Sequence, residues 1–129
     1  AKSERSRHIF NYAAMKRVNG GKQMKDVWNF TAPKPDEKKL GKHPTQKPMI
    51  LLERIILAAS QPGDLVMDPF LGSGTTAIAA ALLGRKCVGI ESDVAHVELA
   101  RARLCDALQA RTVQSELEVS YAGTGTSGN

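Results

Sequence analysis

Leu65-Val66-Met67-Asp68-Pro69-Phe70-Leu71-Gly72-Ser73-Gly74-Thr75-Thr76 decides how this chain folds. A short apolar run ends in a carboxylate, a glycine-rich turn follows, and a helix of small residues comes next. That is how a strand hands over to a helix whose N-terminus faces a ligand. Gly72 and Gly74 carry no Cβ, so the backbone can turn tightly and come close to what it binds. The helix beyond them offers unpaired N–H groups and the positive end of its dipole. The spacing is not that of the three-glycine dinucleotide fingerprint. No Lys precedes the Thr pair, so it is no Walker loop. A strand–turn–helix whose glycines serve packing alone is the simpler alternative, and the flanking sequence weighs against it.

Upstream, His43-Pro44-Thr45-Gln46-Lys47-Pro48 is read as opening a helix, with proline in the first turn where its missing N–H costs nothing. Met49, Leu52, Ile55, Ile56 and Ala59 then form one apolar stripe, and Gln61-Pro62-Gly63 stops the helix before the strand Leu65–Met67. Downstream, Thr75 to Leu83 reads as a helix closed by Gly84, with Arg85 and Lys86 complementing its negative end. Lys86 to Ile90 is a second strand, apolar enough to be buried on both faces of a parallel sheet. Glu91 follows it. Asp93 caps a helix over residues 94–110 with Val97, Ala100, Leu104 and Leu108 on one stripe. Leu117 to Val119 reads as a last strand and residues 121–129 as a flexible Gly/Ser/Thr tail. The order implies a right-handed βαβ unit, half of a doubly wound sheet, with ligands expected at the C-terminal ends of the strands.

The first third differs. Residues 1–47 carry 12 Lys/Arg and 4 Asp/Glu, a net +8, while residues 48–129 carry 6 and 9, a net −3. A basic segment joined to a mildly acidic unit suggests a polyanion-facing surface, with a solvated basic face as the plain alternative. Ile9 to Tyr12 could start a strand or a helix, Asn19-Gly20-Gly21 is a turn, Val27 to Phe30 alternates as a strand could, and residues 33–39 read as a loop. Trp28, Phe30, Phe10 and Tyr12 are expected to anchor this segment by packing rather than to stack on bases. No apolar run approaches the ~20 residues of a membrane span. No secretory signal is visible in residues 1–5, so a cytoplasmic protein is expected. Cys87 and Cys105 have no metal-ligand spacing and read as two buried thiols.

The chemistry lies at the strand ends. Glu91, 17 residues after Gly74, is placed to accept hydrogen bonds from two ribose hydroxyls; the alternative, a carboxylate balancing the following helix dipole, suits Asp93 better. Asp68 is ill suited to an anionic pyrophosphate and well suited to an ammonium or sulfonium group. That favours S-adenosylmethionine over NAD or ATP. Ser73, Thr75 and Thr76 can offer hydroxyl or N–H contacts to a carboxylate. No metal site is expected, and no residue reads as a general base. His8 falls in the basic arm, His43 in the loop before a helix, and His96 on a helix surface.

His43-Pro44-Thr45-Gln46-Lys47-Pro48, then Asp68-Pro69-Phe70-Leu71-Gly72-Ser73-Gly74-Thr75-Thr76, then Gly89-Ile90-Glu91, resembles the DNA methyltransferases that modify exocyclic amines. The block order is that of the family's β group, in which the cofactor half follows the catalytic half. The resemblance covers roughly residues 8–106, including the stretch from Phe10 through Asn19-Gly20-Gly21-Lys22-Gln23-Met24 to Trp28. It implies an α/β fold, a partial Rossmann-like S-adenosylmethionine-dependent methyltransferase sheet with flanking helices. It implies a basic segment over residues 1–42 at or beside the DNA-recognition region and a cofactor unit over residues 43–120. Thr45, Gln46, Lys47 and Pro48 would close over the methionine end. Asp68, Pro69, Phe70, Gly72, Ser73, Gly74, Thr75 and Thr76 would line the cofactor pocket, and Glu91 with Ser92 would take the ribose side. Such enzymes make N6-methyladenine or N4-methylcytosine in restriction–modification systems. The 19–24 stretch leans towards adenine.

The family's catalytic block, an Asp, Asn or Ser followed by Pro-Pro and an aromatic, does not occur here. Asp68-Pro69-Phe70 looks similar, but its glycine turn makes it the cofactor loop. The chain therefore reads as a cofactor half expected to need DNA and a second chain, or a second copy of itself. A half-sheet should leave apolar strand edges and faces uncovered. The rival reading is a remnant that binds DNA or a partner without cofactor; an oxidoreductase fragment is a third.

Overall fold

The structure is a computed structural model that describes the backbone of residues 8–123 and the side chains of residues 8–115. The helices are α1 (Tyr12–Val18), α2 (Met49–Ala59), α3 (Thr75–Leu82) and α4 (Val94–Gly123), with a single 3-10 turn at Asp36–Lys38. Two strands, β1 (Leu65–Asp68) and β2 (Lys86–Gly89), pair in parallel with Leu65 opposite Lys86 and Asp68 opposite Gly89. The crossover between them is α3. Beyond the register the ladder continues, because Ile90 N–H donates to the Asp68 carbonyl at 2.9 Å. The two chains therefore leave the sheet side by side.

One face of this sheet is covered. Val66 and Cys87, register partners, pack on Ile56 of α2 and Ala79 and Ala80 of α3, with Met49, Leu52 and Leu83 around them. The alternate positions are open to solvent: Leu65 is 64% and Met67 63% exposed, and Val88 is exposed as well. β2 thus has the composition of a strand buried twice, but only one of its faces is covered. The apolar stripe of α2 is narrower than its periodicity implies. Ile56 and Ala58 are buried, whereas Ile55 and Ala59 are exposed.

Several local readings need correction. Helix α2 begins at Met49, not within His43–Pro48, because the residue before each proline is pushed out of the helical region; Pro48 sits extended at φ −65°, ψ 141°. In place of a neighbouring cap, the Glu37 carboxylate accepts the Met49 N–H at 2.9 Å from 12 residues away. The Ile9–Tyr12 ambiguity resolves as the start of α1. Val27 to Phe30 is extended but unpaired, and the 33–39 loop contains the 3-10 turn. Leu117 to Val119 lies inside α4, and Tyr121–Gly123 form its last turn. No glycine or proline interrupts residues 94–122, so nothing stops the helix at residue 110. Residues 1–7 of the basic segment and 124–129 of the tail lie outside the described residues. Cys105 is exposed on α4, not buried; Cys87 is half-buried in β2, where burial first and the Asp68 charge second push its thiol pKa up.

The basic segment is bonded to α2. Asn11 donates its amide to the Leu57 and Ser60 carbonyls at 2.7 and 2.6 Å and accepts from Gln61 at 2.6 Å. Trp28 and Phe30, at right angles to each other, flank the Arg54 guanidinium of α2, whose carbon lies 5.3 and 4.7 Å from the ring centres. Phe10 and Tyr12 stay exposed and anchor nothing in the core.

Arg85 does more than face a helix dipole. Its buried guanidinium donates to the Leu83 carbonyl and to the side chain and carbonyl of Ser60, at 3.0 and 2.7 Å, tying the C-terminal ends of α2 and α3 together. Arg85→Met keeps the packing but removes the guanidinium donors to the Leu83 carbonyl and the Ser60 side chain, leaving the Ser60 carbonyl with Asn11 alone. It should lower unfolding free energy by about 2 kcal/mol or more, measured by urea denaturation.

Candidate active site: the cleft at the strand ends

At the C-terminal end of β1 the Asp68 carboxylate accepts the Phe70 N–H at 3.0 Å, which starts the turn. Leu71 N–H then donates to the Ile90 carbonyl at 2.9 Å, so the loop stays laced to the second strand. Gly72 (φ +55°) and Gly74 (φ +80°) follow in left-handed conformation. Each is also crowded. A Cβ on Gly72 would lie 3.2 Å from His43 Nε2, and one on Gly74 would lie 2.7 Å from the Ala100 Cβ of α4. These two glycines are required twice over, by conformation and by close approach.

Glu91 closes the site. Its Oε2 accepts the Gly72 N–H at 2.8 Å, and its Oε1 accepts the Ser92 and Asp93 N–H groups at 2.8 and 2.9 Å. The Asp93 and Gly72 donors hold its pKa below the usual carboxylate value. A carboxylate offers about four lone-pair positions, so Oε2 keeps acceptor capacity beyond the Gly72 bond. The helix-capping role and a ligand role are therefore compatible. Asp93 also caps α4, accepting the Ala95 N–H at 2.8 Å.

A cleft of about 130 Å³ opens beside the turn. Thr45, Gln46, Lys47, Asp68, Phe70, Gly72, Ser73, Thr75 and Thr76 line it, together with His43, Leu52 and Leu71. Residues from two separate sequence blocks thus form one wall. Pro48, Pro69, Gly74, Glu91 and Ser92 do not line it. Pro48 precedes α2, Pro69 is exposed, Gly74 faces Ala100, and Ser92 is exposed beside Glu91. Glu91 instead borders a second hollow of about 400 Å³, with Leu71, Gly89 and Ile90. The cleft suits a group the size of an amino acid, and the hollow past Glu91 is roomier.

The residues present fit S-adenosylmethionine. Gln46, only 9% exposed, has its amide N–H₂ on the Glu37 carbonyl at 2.9 Å, while its Oε1 has no hydrogen-bond partner. A buried acceptor left unpaired is costly unless a donor arrives. In the same cleft stand the Asp68 carboxylate, matched to a cation, and the N-terminus of α3, matched to a carboxylate. An amino-acid head carries all three complements. Among the described residues no group of three His, Cys, Asp or Glu could hold a metal ion, and no helix is long and apolar enough to cross a membrane.

Sequence reasoning missed four contributors. His43 and His96, read apart, bring their rings to 4.3 Å, and the His43 ring lies over Gly72. Arg103, unremarkable as one Arg of a helix, is buried beneath the glycine turn. Glu37 sits in a charged run, yet it holds Lys34 and Met49 N–H groups with its carboxylate and Gln46 with its carbonyl. Only Glu37's distance from any helix start hid it.

Residues 1–102 match the N6_N4_Mtase family, described as DNA methylase. The chain belongs to this family. It is 54% identical over 101 residues to the type II methyltransferase M2.DpnII of Streptococcus pneumoniae, covering 78% of this chain and 38% of that protein. It is 54% identical over 96 residues to M2.MboI of Moraxella bovis, covering 74% and 35%. Among solved structures it resembles the M1.HpyAVI–SAM complex, with a TM-score of 0.61 and 35% identity over 79% of this chain and 46% of that one. The chain thus spans less than two fifths of the length of these curated relatives. Its fold is part of the Rossmann-like α/β sheet of S-adenosylmethionine-dependent methyltransferases.

The Glu91 bonds carry a pH signature. A depressed carboxylate pKa in the folded state contributes stability that is present above the ordinary carboxylate value and lost as pH falls through the folded one. The Gly72 amide resonance should therefore stay constant from neutral pH down to the ordinary carboxylate range and move only below it. In Glu91→Gln that acid transition should vanish, as read by amide NMR.

Proposed function

We propose that this chain is the S-adenosylmethionine-binding half of a DNA methyltransferase acting on the exocyclic amine of adenine, or of cytosine, within a restriction–modification system. The observation that carries this reading is the single cleft walled jointly by the Thr45–Lys47 block and the Asp68–Thr76 block. Asp68 attracts the cationic part of the cofactor. Gln46 supplies an acceptor to its ammonium, and Ser73, Thr75 and Thr76 face its carboxylate from the start of α3. Glu91 receives the ribose hydroxyls through the lone pair that Gly72 leaves on Oε2. Pro48, Pro69, Gly74 and Ser92 hold the backbone of these loops. Residues 43–120 form this unit, and residues 1–42 border the DNA.

Bound S-adenosylmethionine offers an electrophilic methyl to a base nitrogen, after the base has been extruded from the duplex. None of this chain's residues serves as general base. The chain's part is to bind, to orient and to keep the strand ends in register. The pocket for the extruded base and the Pro-Pro block belong to a partner chain or to a further part of the enzyme. The basic segment supports DNA as the substrate: Lys16, Arg17, Lys22 and Lys25 follow one another along and after α1.

The decisive experiment is calorimetric titration of the chain with S-adenosylmethionine. Asp68→Ala and Glu91→Ala should each weaken binding by about tenfold or more, the loss expected of a hydrogen bond to a charged group. Tight DNA binding without any cofactor binding would instead support the remnant reading. The open sheet face generates a separate expectation. The wild-type chain should self-associate in sedimentation velocity, and Met67→Lys with Val88→Lys should shift it to monomer. A strictly monomeric, fully folded wild type would contradict the need for a covering partner.

A further inference from the structure

Arg103 is 6% exposed, ten residues into α4, and its guanidinium reaches back to the glycine turn. Its Nη1 donates to the Ser73 carbonyl and, at 3.2 Å, to the Thr75 hydroxyl oxygen. Ser73 and Thr75 are themselves buried. One helical turn earlier on the same face, Ala100 lies against Gly74 so closely that no Cβ would fit. Helix α4 therefore supports the turn at two successive points, by contact at Ala100 and by charge-assisted bonds at Arg103.

Two consequences follow from bond chemistry. The peptide unit is planar, so holding the Ser73 carbonyl also holds the Gly74 N–H and the plane from which Gly74 turns. A guanidinium can only donate, so Thr75 Oγ1 accepts from it and its own proton is left for another acceptor, with Ser73 Oγ 3.5 Å away as the one inside the loop. Thr75 lines the cleft, and there that proton can serve an acceptor such as a carboxylate. Burial lowers the Arg103 pKa, and the Glu37 carboxylate opposes that shift. The counter-charge thus comes from the basic segment, which also holds Gln46.

Resting on the cofactor reading above, we propose that Arg103 is a positioning residue for the amino-acid end of the cofactor: it fixes the Ser73–Gly74 peptide and sets the Thr75 hydroxyl as a donor into the cleft. Arg103 touches no ligand itself. It acts through two loop groups that do.

The test compares S-adenosylmethionine with 5′-methylthioadenosine, which lacks the amino-acid end, by calorimetry on the full chain. Arg103→Met should weaken S-adenosylmethionine by about tenfold or more and leave methylthioadenosine affinity unchanged within error. Arg103→Lys, which retains a donor, should recover part of the loss. Equal loss of both ligands, or of neither, would overturn the proposal, the first by reducing Arg103 to a fold-stabilising residue. Amide NMR supplies an independent arm. Arg103→Met should displace the Gly74 and Thr75 resonances without ligand, and unmoved resonances overturn its hold on the loop. An unmodified chain that binds neither ligand would sink the cofactor reading and with it the ligand role of Arg103, while the resonance arm separately judges its hold on the loop.

Discussion

The bond from the Gly72 amide to the Glu91 carboxylate is the constraint on which the ligand side of this molecule depends. It joins the exits of two parallel strands whose paired backbones end at Asp68 and Gly89. The same carboxylate takes the N–H groups of Ser92 and Asp93, the two residues that lead into α4, and so shapes the turn from which that helix leaves the sheet. Everything placed by α4 inherits this orientation: Ala100 against Gly74, Arg103 beneath Ser73, and His96 beside His43. Glu91 is solvent-accessible, so no single bond of the three is strong. Their convergence on one group, with the helix dipole favouring negative charge there, is what holds the arrangement.

Two buried cations do the joining that a small core cannot. The apolar core is thin: Ile56, Ala79 and Ala80 cluster with partly covered neighbours, and Met15, Ala58, Ile78 and Ala100 are the other buried apolar side chains among the described residues. Arg85 and Arg103 bridge helix ends and turns by donating to their carbonyls. A buried guanidinium is expensive to desolvate, and the cost is offset only when its N–H groups meet acceptors at good geometry. Arg85 meets this through Ser60 and Leu83. Arg103 meets it through the turn and the nearby Glu37 charge. The basic segment is therefore part of the cleft's support as well as a charged surface, since Glu37 also starts α2 and positions Gln46.

The strand–turn–helix at residues 65–82, the second strand and the acid after it were legible in the sequence because each rests on local signals. These are an apolar run, glycines at a forced left-handed turn, and a carboxylate at a helix start. That the two blocks share one cleft was legible only through the family resemblance, because nothing local says that the loop from His43 folds against Gly72. Helix α4 was read too short because β-branched Val119 and alternating polarity imitate a strand. In the structure there is no neighbouring strand for that stretch to pair with among the described residues. Arg103 and Glu37 were illegible for a different reason. A charged residue on a helix or in a charged run is ordinarily solvated, and only its three-dimensional partners reveal that it is buried or that it caps a distant helix.

The same geometry ties ligand affinity to the uncovered sheet face. Val66 and Cys87 point into the core, so Leu65, Met67 and Val88 must lie on the opposite side of the same two strands. Parallel sheets are stable when helices or further strands cover both faces. Asp68 and Glu91 sit at the ends of strands only four residues long, packed on one face alone. Whatever covers Met67 and Val88 stiffens the strands that present those two carboxylates. A ligand that bridges Asp68 and Glu91 stiffens the strands in return. Under the proposed function, partner association and cofactor binding are therefore linked by mass action, each raising the affinity for the other.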